Sequence, residues 1–293
     1  MSQTRHFPFH GIRLYQFKKH LERQLTLHPR FNCWLGANGS GKTNALDAVH
    51  YLCLTKSFFH HTDAHAIHHN EQEASIKGWG QAGEFPFEIL VQLKRNAKKS
   101  VKYNEKEWDR LSDHIGKHAV VMIAPQDGSL ISEGSEERRK WLDNMISQVD
   151  KEYLQNLIRY HQLLTQRNAL LKQKGRQCSA EELETYDWMM KQPAEDIHTK
   201  RADWLSALTD HFTRLLTIIS NTADQGELEF VNDFTEIDFI ENRKSSLEKD
   251  LQLERTTTGP HKDELDFKLN GHSLKKHGSQ GQQKSFLLAL KLA

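Results

Sequence analysis

The order of apolar and polar positions divides the chain into strand-like and helix-like stretches. Residues 11–17 and 23–27 have the pattern of short strands separated by a polar turn. Apolar residues then alternate with polar ones across residues 74–103, which predicts an antiparallel sheet. The apolar run 119–124 predicts a buried strand that delivers Gln126 to a loop. The first half of the chain is therefore expected to be rich in strands.

The second half changes to helical spacing. A long helical region is predicted to start with Ser135 as its N-cap. Two apolar helical runs follow, and they could pack as a short antiparallel arm, with a break or kink expected at Pro193. An ordinary helical subdomain and a partner-recognising arm fit this pattern equally well. The first run predicts a heptad seam of Leu154, Leu157, His161, Leu164, Asn168 and Leu171.

The last third returns to mixed structure. Strands are predicted at 228–231 and 265–269, with a helix at 238–253 and a hairpin turn at Asn270-Gly271. The stretch Gly278-Ser279-Gln280-Gly281-Gln282-Gln283 then precedes an apolar helical run. A polar glycine turn that opens a helix is a phosphate-binding arrangement, although a weak signal alone.

A glycine-rich loop between an apolar strand and a helix carries the strongest chemical signal. The strand is predicted at 31–35, and the loop fits the pattern G-x-x-x-x-G-K-[ST]. Its backbone N–H groups can surround phosphates, while the Lys ammonium reaches phosphate oxygens and the Thr hydroxyl holds Mg²⁺. A turn without a ligand would leave these glycines and this lysine unexplained. The predicted nucleotide site comprises Gly36, Ala37, Asn38, Gly39, Ser40, Gly41, Lys42, Thr43 and Asn44.

Composition narrows the class of protein. With 293 residues and 37% hydrophobic content, the chain can bury one substantial core and an appendage. It has no apolar run that could span a bilayer and no signal-peptide core, so a cytoplasmic location is expected. Forty basic residues against thirty-nine acidic ones mean that any nucleic-acid binding depends on local patches. The cysteines are expected to be free and buried, with Cys33 in the predicted strand before the loop.

Two groups of polar residues have more than one interpretation. His61, His65 and His69 would share one helical face at metal-ligand spacing, but such histidines are also common on solvated surfaces. Basic side chains on the predicted sheet form either a solvated edge or a DNA patch. Candidate DNA contacts are Lys94, Arg95, Lys98 and Lys99, together with Arg138 and Arg139, where a structural role is equally compatible.

Four stretches together resemble the RecF family of SMC-like ABC ATPases. They are the loop from Gly36 to Asn44, residues 134–143, Thr258-Gly259-Pro260-His261-Lys262-Asp263-Glu264-Leu265, and residues 279–284. The last two are more specific to the family than the loop, and the four span nearly the whole chain. The resemblance implies an α/β ABC-type head with an antiparallel β subdomain and a second lobe carrying a helical arm. It suggests an ATPase lobe at 1–134, an arm at 135–225 and a return to the head at 226–293.

The resemblance also implies a function. The family binds DNA gaps and single-strand/double-strand junctions as an ATP-dependent homodimer, and it helps load recombinase with RecO and RecR. By match of motif, ATP and Mg²⁺ would be held by Lys42 and Thr43, with Gln126 in the Q-loop near the metal. Ser279, Gly281 and Gln282 would contact the γ-phosphate held by the other subunit.

The sequence departs from the family pattern at three places. Phe59 and His60 stand where an arginine often lies near the phosphates, and Gln126 often aligns with an acidic residue. No Walker B strand precedes Ala293, so weak ATPase activity is expected of the full-length protein and none of this segment. An ABC module serving a non-DNA partner is the alternative function. A Rad50-like break sensor would need a far longer coiled coil.

Overall fold

The computed structural model describes residues 9–231 and 238–293. Its contacts form two compact units, which we call the N-terminal unit (Met1–Met122) and the C-terminal unit (Ile123–Ala293). The three-part division suggested by the sequence stays a prediction.

The N-terminal unit is an antiparallel sheet covered by one helix. Helix α1 (Lys42–Leu54) packs Ala48, Tyr51 and Leu52 against the apolar face of the sheet. The sheet order is β2-β1-β3-β4-β5-β6, and every neighbouring pair is antiparallel. The predicted strands near the start and the predicted sheet are therefore confirmed. The strands are β1 (Phe9–Phe17), β2 (His20–Thr26), β3 (Glu73–Ala82), β4 (Phe85–Lys94), β5 (Ser100–Tyr103) and β6 (Lys106–Glu107).

Two other predicted strands are wrong. Residues 31–35 and 119–124 have no strand partner among the described residues and lie in irregular backbone. Phe31 and Leu35 are 87% and 88% exposed, and Cys33 is exposed rather than buried. An apolar, β-branched run becomes a strand only where a neighbour supplies hydrogen-bond partners, and composition cannot report that neighbour.

The C-terminal unit contains the other helices and a small antiparallel sheet of order β7-β8-β9. Asn270 and Gly271 form the predicted hairpin turn, with φ angles of 54° and 75°. None of the described helices is long and apolar enough to cross a membrane. The elements are α2 (Ser129–Ser132), α3 (Ser135–Val149), α4 (Lys151–Lys174), α5 (Ala180–Ser220), β7 (Gly226–Val231), α6 (Phe239–Leu253), β8 (Glu264–Leu269), β9 (His272–Ser273), α7 (Leu274–His277) and α8 (Gln280–Leu292).

Helices α4 and α5 pack antiparallel to each other, and the first half of α5 faces α4. Asn156 pairs with Asp196, and Arg167 pairs with Asp187. The seam differs from the predicted one, because His161 is exposed while Arg167 is fully buried. The buried face of α4 consists of Tyr153, Tyr160, Leu163, Leu164, Arg167 and Leu171. A heptad pattern based on leucines does not identify this face. Its tyrosine and arginine side chains are buried because they have polar partners that are distant in sequence.

Helix α5 passes through Pro193 without interruption, so the predicted break is absent. Proline inside a helix costs about 3 kcal/mol, because it removes one backbone hydrogen bond. Pro193 is buried, and the flanking residues Met190 and Ala194 belong to the hydrophobic core. Packing in this core offsets the local cost.

Candidate nucleotide-binding site

The glycine-rich loop lies directly before α1 in the N-terminal unit. Gly39 and Gly41 have φ angles of 75° and 94°, which side-chain-bearing residues rarely adopt. A Cβ atom on Gly41 would also lie 2.6 Å from the ring of His20. Glycine is therefore required at the point where the loop enters the helix.

Lys42 and Thr43 begin α1 at the end of this loop. The Lys42 ammonium donates hydrogen bonds to the carbonyl oxygens of Gly36 at 2.7 Å and Ala37 at 2.8 Å. Thr43 is exposed, and its hydroxyl has no hydrogen-bond partner among the described residues. Both residues line an open cleft of ≈ 580 Å³. The first N–H groups of α1 have no partner within the helix, so this end of α1 favours an anion.

The Lys42 ammonium and the Thr43 hydroxyl fit a nucleoside triphosphate and its metal ion. Among the described residues, the Lys42 ammonium is bound only to neutral carbonyl groups, so it can exchange them for phosphate oxygens. The Thr43 hydroxyl is an oxygen ligand of the kind that Mg²⁺ prefers when it also binds phosphates. When bound, the metal would offset the charge of the phosphate oxygens.

The turn between β1 and β2 holds the loop from the other side. The Lys19 ammonium donates to the carbonyl oxygen of Gly39, and His20 Nε2 donates to that of Gly41 at 3.1 Å. Sequence analysis did not identify either residue. The available signal was a polar Lys18-Lys19-His20 turn immediately after an apolar strand.

A buried ion pair connects α1 to the segment containing Phe59 and His60. The Asp47 carboxylate lies 2.6 Å from the Lys18 ammonium and accepts hydrogen bonds from Ser57 Oγ and the Phe58 N–H, both at 2.7 Å. The Lys18 ammonium also lies 5.4 Å from the centre of the Phe59 ring. A cation therefore lies beside the position where the family resemblance predicts an arginine.

The histidine-rich segment does not form the predicted helical face. Residues Asp63–Ala66 make one 3-10 turn, and Ile67 already has extended backbone. His61, His65 and His69 therefore do not share a helical face. Within the described ranges, no group of three or more His, Cys, Asp or Glu side chains could hold a metal ion.

Gln126 lies in the C-terminal unit, exposed in the turn Pro125–Gly128. Its neighbour Asp127 is buried, accepts a hydrogen bond from the Ala124 N–H at 2.7 Å, and pairs with Lys291 of α8 at 2.5 Å. Burial lowers the pKa of Lys291. This connection between the Gln126 turn and α8 was missed, although Lys291 is a lone charge in an otherwise apolar run.

Ser279, Gly281 and Gln282 lie together at the start of α8. Ser279 Oγ accepts from the Gln282 N–H at 3.2 Å, and Gln282 Oε1 accepts from the Ser279 N–H at 3.0 Å. This reciprocal pair is a capping box, which fixes the helix start. Gly281 is exposed in the first turn, where an added Cβ would meet only Ser279 Oγ at 3.9 Å. The predicted signature residues therefore form an accessible helix start.

Three of the four candidate DNA contacts on the sheet have partners within the protein. Lys94 pairs with Glu73 at 3.5 Å, and Arg95 donates to the carbonyl oxygen of Glu71 at 2.9 Å. Lys99 pairs with Asp63 at 3.0 Å. Lys98 is exposed and has no partner among the described residues. The carboxylate partners of Lys94 and Lys99 reduce the charge that the sheet offers to phosphates.

Arg138 and Arg139 have structural partners. Arg138 is 7% exposed, donates to the carbonyl oxygen of Leu130 at 3.1 Å, and pairs with Asp266 at 3.2 Å. Arg139 donates to the carbonyl oxygen of Asp263. These contacts favour the structural alternative for Arg138. The N-cap of α3 is Gly134 rather than the predicted Ser135, whose hydroxyl accepts from Arg138 at 3.3 Å instead.

Together, the loop and the mixed α/β architecture define an ABC-type P-loop ATPase head. A family model described as an AAA domain matches residues 11–258. The DNA replication and repair protein RecF of Cytophaga hutchinsonii is 38% identical over 284 residues, which cover 96% of this chain and 75% of that protein. RecF of Bacteroides fragilis is 41% identical over 278 residues, covering 94% and 75% of the two chains. The chain belongs to the RecF family of DNA replication and repair proteins.

Solved structures show the same fold. The recombination mediator protein RecF bound to ATP, of the RecFOR pathway, matches with a TM-score of 0.90 and 26% identity, covering 100% of this chain and 81% of that one. The Smc head domain of Pyrococcus furiosus matches with a TM-score of 0.52 at 16% identity, covering 97% and 77%, which indicates a shared fold alone. The predicted fold class and family are confirmed.

Proposed function

We propose that the protein binds Mg-ATP at the glycine-rich loop and, as an ATP-driven homodimer, binds gapped DNA and single-strand/double-strand junctions during recombinational repair. In this role it helps RecO and RecR to load recombinase, and the full-length protein hydrolyses ATP slowly. The observation that carries the proposal is the start of α1. There, within the part of the chain that the structure describes, Lys42 bonds only to the neutral oxygens of Gly36 and Ala37, and Thr43 faces an open cleft.

The start of α8 supports the dimer. Ser279 and Gly281 are exposed at a fixed helix start, while the loop around Lys42 is built entirely from other residues. A second phosphate-binding helix start is useful if it meets a nucleotide, and the family resemblance assigns that nucleotide to the partner subunit.

One substitution at the start of α8 tests whether this helix start contacts the nucleotide of the partner subunit. Ser279→Arg is expected to keep Mg-ATP binding and to lose ATP-dependent dimerisation, because the arginine side chain is larger than that of serine and fills the space at the helix start. Sedimentation velocity with and without Mg-ATP measures the dimer. A persistent dimer in the variant would contradict the in-trans contact.

DNA binding is expected to depend on ATP because one chain has a net charge of only +1. Dimerisation doubles the number of local cations that can contact phosphates, and phosphate contacts supply most sequence-independent affinity. The alternative of a non-DNA partner has no observation in its favour.

The deciding experiment is fluorescence anisotropy on gapped DNA with the full-length protein. Wild type should bind with Mg-ATP and bind at least tenfold more weakly without it. Lys42→Ala should behave with Mg-ATP as wild type does without nucleotide. Equal binding in all three conditions would overturn the ATP requirement, and no binding in any condition would overturn the DNA-binding function.

A further inference from the structure

The family-specific stretch from Gly259 to Asp263 has no role in the site described so far. It forms a turn in the C-terminal unit that includes a short 3-10 helix, Pro260–Lys262. We call it the Gly259–Asp263 turn. Gly259 has a φ angle of 108°, and a Cβ atom there would lie 2.7 Å from the Tyr160 hydroxyl oxygen. Both the backbone conformation and the contact with Tyr160 therefore require glycine at position 259.

Buried side chains hold the turn at two further points. Arg201 donates hydrogen bonds to the carbonyl oxygen of Pro260 and to the Asp263 carboxylate, both at 2.7 Å. Arg201 also pairs with the Asp143 carboxylate at 2.8 Å and donates to the Tyr153 hydroxyl at 3.2 Å. Since Arg201 is 2% exposed, this fork lies inside the protein. It fixes both ends of the 3-10 helix.

His261 fixes the centre of the turn. The Tyr160 hydroxyl donates to His261 Nδ1 at 2.7 Å, and His261 Nε2 donates to the carbonyl oxygen of Thr256 at 3.1 Å. Burial lowers the pKa of His261 to about 3, which agrees with a neutral ring in this tautomer. Of the five residues from Gly259 to Asp263, Lys262 alone is exposed.

Lys262 stands among other cations. Burial lowers its pKa, and the charges of Arg255 and Arg139 lower it further. The side chains of Lys262 and Arg255 have no hydrogen bond or ion pair within the described ranges, and Arg139 donates to the neutral carbonyl oxygen of Asp263. None of these three cations forms an ion pair with a carboxylate in the described part of the chain.

The nearby acids do not supply an anion to this cluster. Glu136 and Asp250 both act to raise the pKa of Lys262. Glu136, however, pairs with Lys140 at 2.9 Å, and Asp250 pairs with the buried Arg167 at 2.7 Å. Because the turn is fixed at several points, the backbone of Lys262 is held in place and only its side chain can move.

We infer that the Gly259–Asp263 turn presents Lys262, beside Arg255 and Arg139, as a contact for the phosphate backbone of DNA. The inference deepens the proposed function and rests on it. A rigid base lowers the entropy that a lysine loses on binding, and a cluster without its own anion gains by acquiring one. The contact carries no base specificity, since phosphates are the same in every sequence.

Salt dependence distinguishes this contact from a structural role. Anisotropy on gapped DNA is measured with the full-length protein and Mg-ATP at several salt concentrations. On duplex DNA each phosphate contact contributes about −0.9 to the slope of log affinity against log salt, so Lys262→Ala should make the slope shallower by about 0.9 for each subunit, or about 1.8 for the dimer. Affinity at moderate salt should fall roughly threefold to tenfold, uniformly across sequences. The double variant Lys262→Ala/Arg255→Ala should lose about twice that slope.

Control variants keep the outcomes separate. Lys262→Arg should retain the wild-type slope. Lys172 is an exposed lysine on α4 without a hydrogen bond or ion pair to the described residues, and Lys172→Ala should leave the slope unchanged. Thermal stability and Mg-ATP affinity should stay at wild-type values in all four variants. An unchanged slope in Lys262→Ala, with normal DNA binding by wild type, would overturn this contact alone. Absence of DNA binding by wild type would overturn the proposed function and the contact with it.

Discussion

The loop before α1 and the Gly259–Asp263 turn fix their backbones in opposite ways. The loop uses contiguous residues, with glycines at positive φ and Lys42 bonded to carbonyl groups five and six positions away. The turn uses one such glycine and is held by partners remote in sequence, such as Arg201 and Tyr160. Local sequence therefore encodes most of the first arrangement, to which Lys19 and His20 add contacts from the turn between β1 and β2, while tertiary packing encodes the second.

The largest effect is expected where remote partners hold the turn. Arg201→Ala removes the cation shared by Asp143 and Asp263 and leaves the buried Asp263 carboxylate and the partly buried Asp143 carboxylate without it. Breaking a buried pair in this way costs about 3–5 kcal/mol of unfolding free energy. Chemical denaturation of the purified variant measures the loss. The exposed pair Arg13–Glu22 is the control, since Arg13→Ala should cost less than about 1 kcal/mol. Similar costs in both variants would remove the distinction between the two regions.

The next effect concerns the loop. Gly41→Ala should abolish detectable Mg-ATP binding and cost about 1–3 kcal/mol, because φ is 94° and the new Cβ meets the His20 ring. Gly83→Ala is the control, with a φ of 64° and nothing within 4 Å. It should show the backbone strain alone and keep nucleotide binding. Calorimetric titration and denaturation together measure both quantities, and normal ATP affinity in Gly41→Ala would contradict the required geometry.

The smallest of these three effects depends on pH. The pKa of His261 is about 3 in the folded protein because of burial, against an ordinary value of 6.5, so the unfolded chain binds the extra proton between these limits. Stability should therefore fall as pH decreases from about 6.5 towards 3, by roughly 1–2 kcal/mol from this group at pH 5. His261→Gln should reduce the slope of unfolding free energy against pH by an amount equivalent to up to one bound proton. The measurement is unfolding free energy against pH, and an unchanged slope in the variant would show that His261 does not titrate differently in the two states.

The sequence predicted most elements because their signals are local. Periodicity located the sheet of the N-terminal unit and helices α4, α5 and α8, and the spacing of Gly36, Gly41 and Lys42 located the loop. The strands predicted at 31–35 and 119–124 failed because a strand requires a neighbour that composition does not describe. The hydrogen bonds from Lys19 and His20 to the loop could not be predicted either, since nothing in a single sequence pairs those residues with Gly39 and Gly41.

The same limit explains the unassigned polar residues. Arg138 had equal claims to bind DNA and to support α3, and only its position beside Leu130 and Asp266 separates the two. The pair between Asp127 and Lys291 joins residues separated by more than half of the chain. Side chains whose roles come from remote partners become interpretable only when the fold is known.

The proposed binding of Mg-ATP depends most directly on Lys42, as the phosphate-binding residue of the glycine-rich loop. Isothermal titration of the full-length protein with Mg-ATP compares wild type with Lys42→Ala and with the control Lys56→Ala, a lysine beyond the end of α1. Wild type and Lys56→Ala should bind, while Lys42→Ala should lose at least 100-fold in affinity, which is about 2.7 kcal/mol, with its thermal midpoint unchanged. Equal affinity in Lys42→Ala and wild type would contradict the assignment of this loop as the nucleotide site.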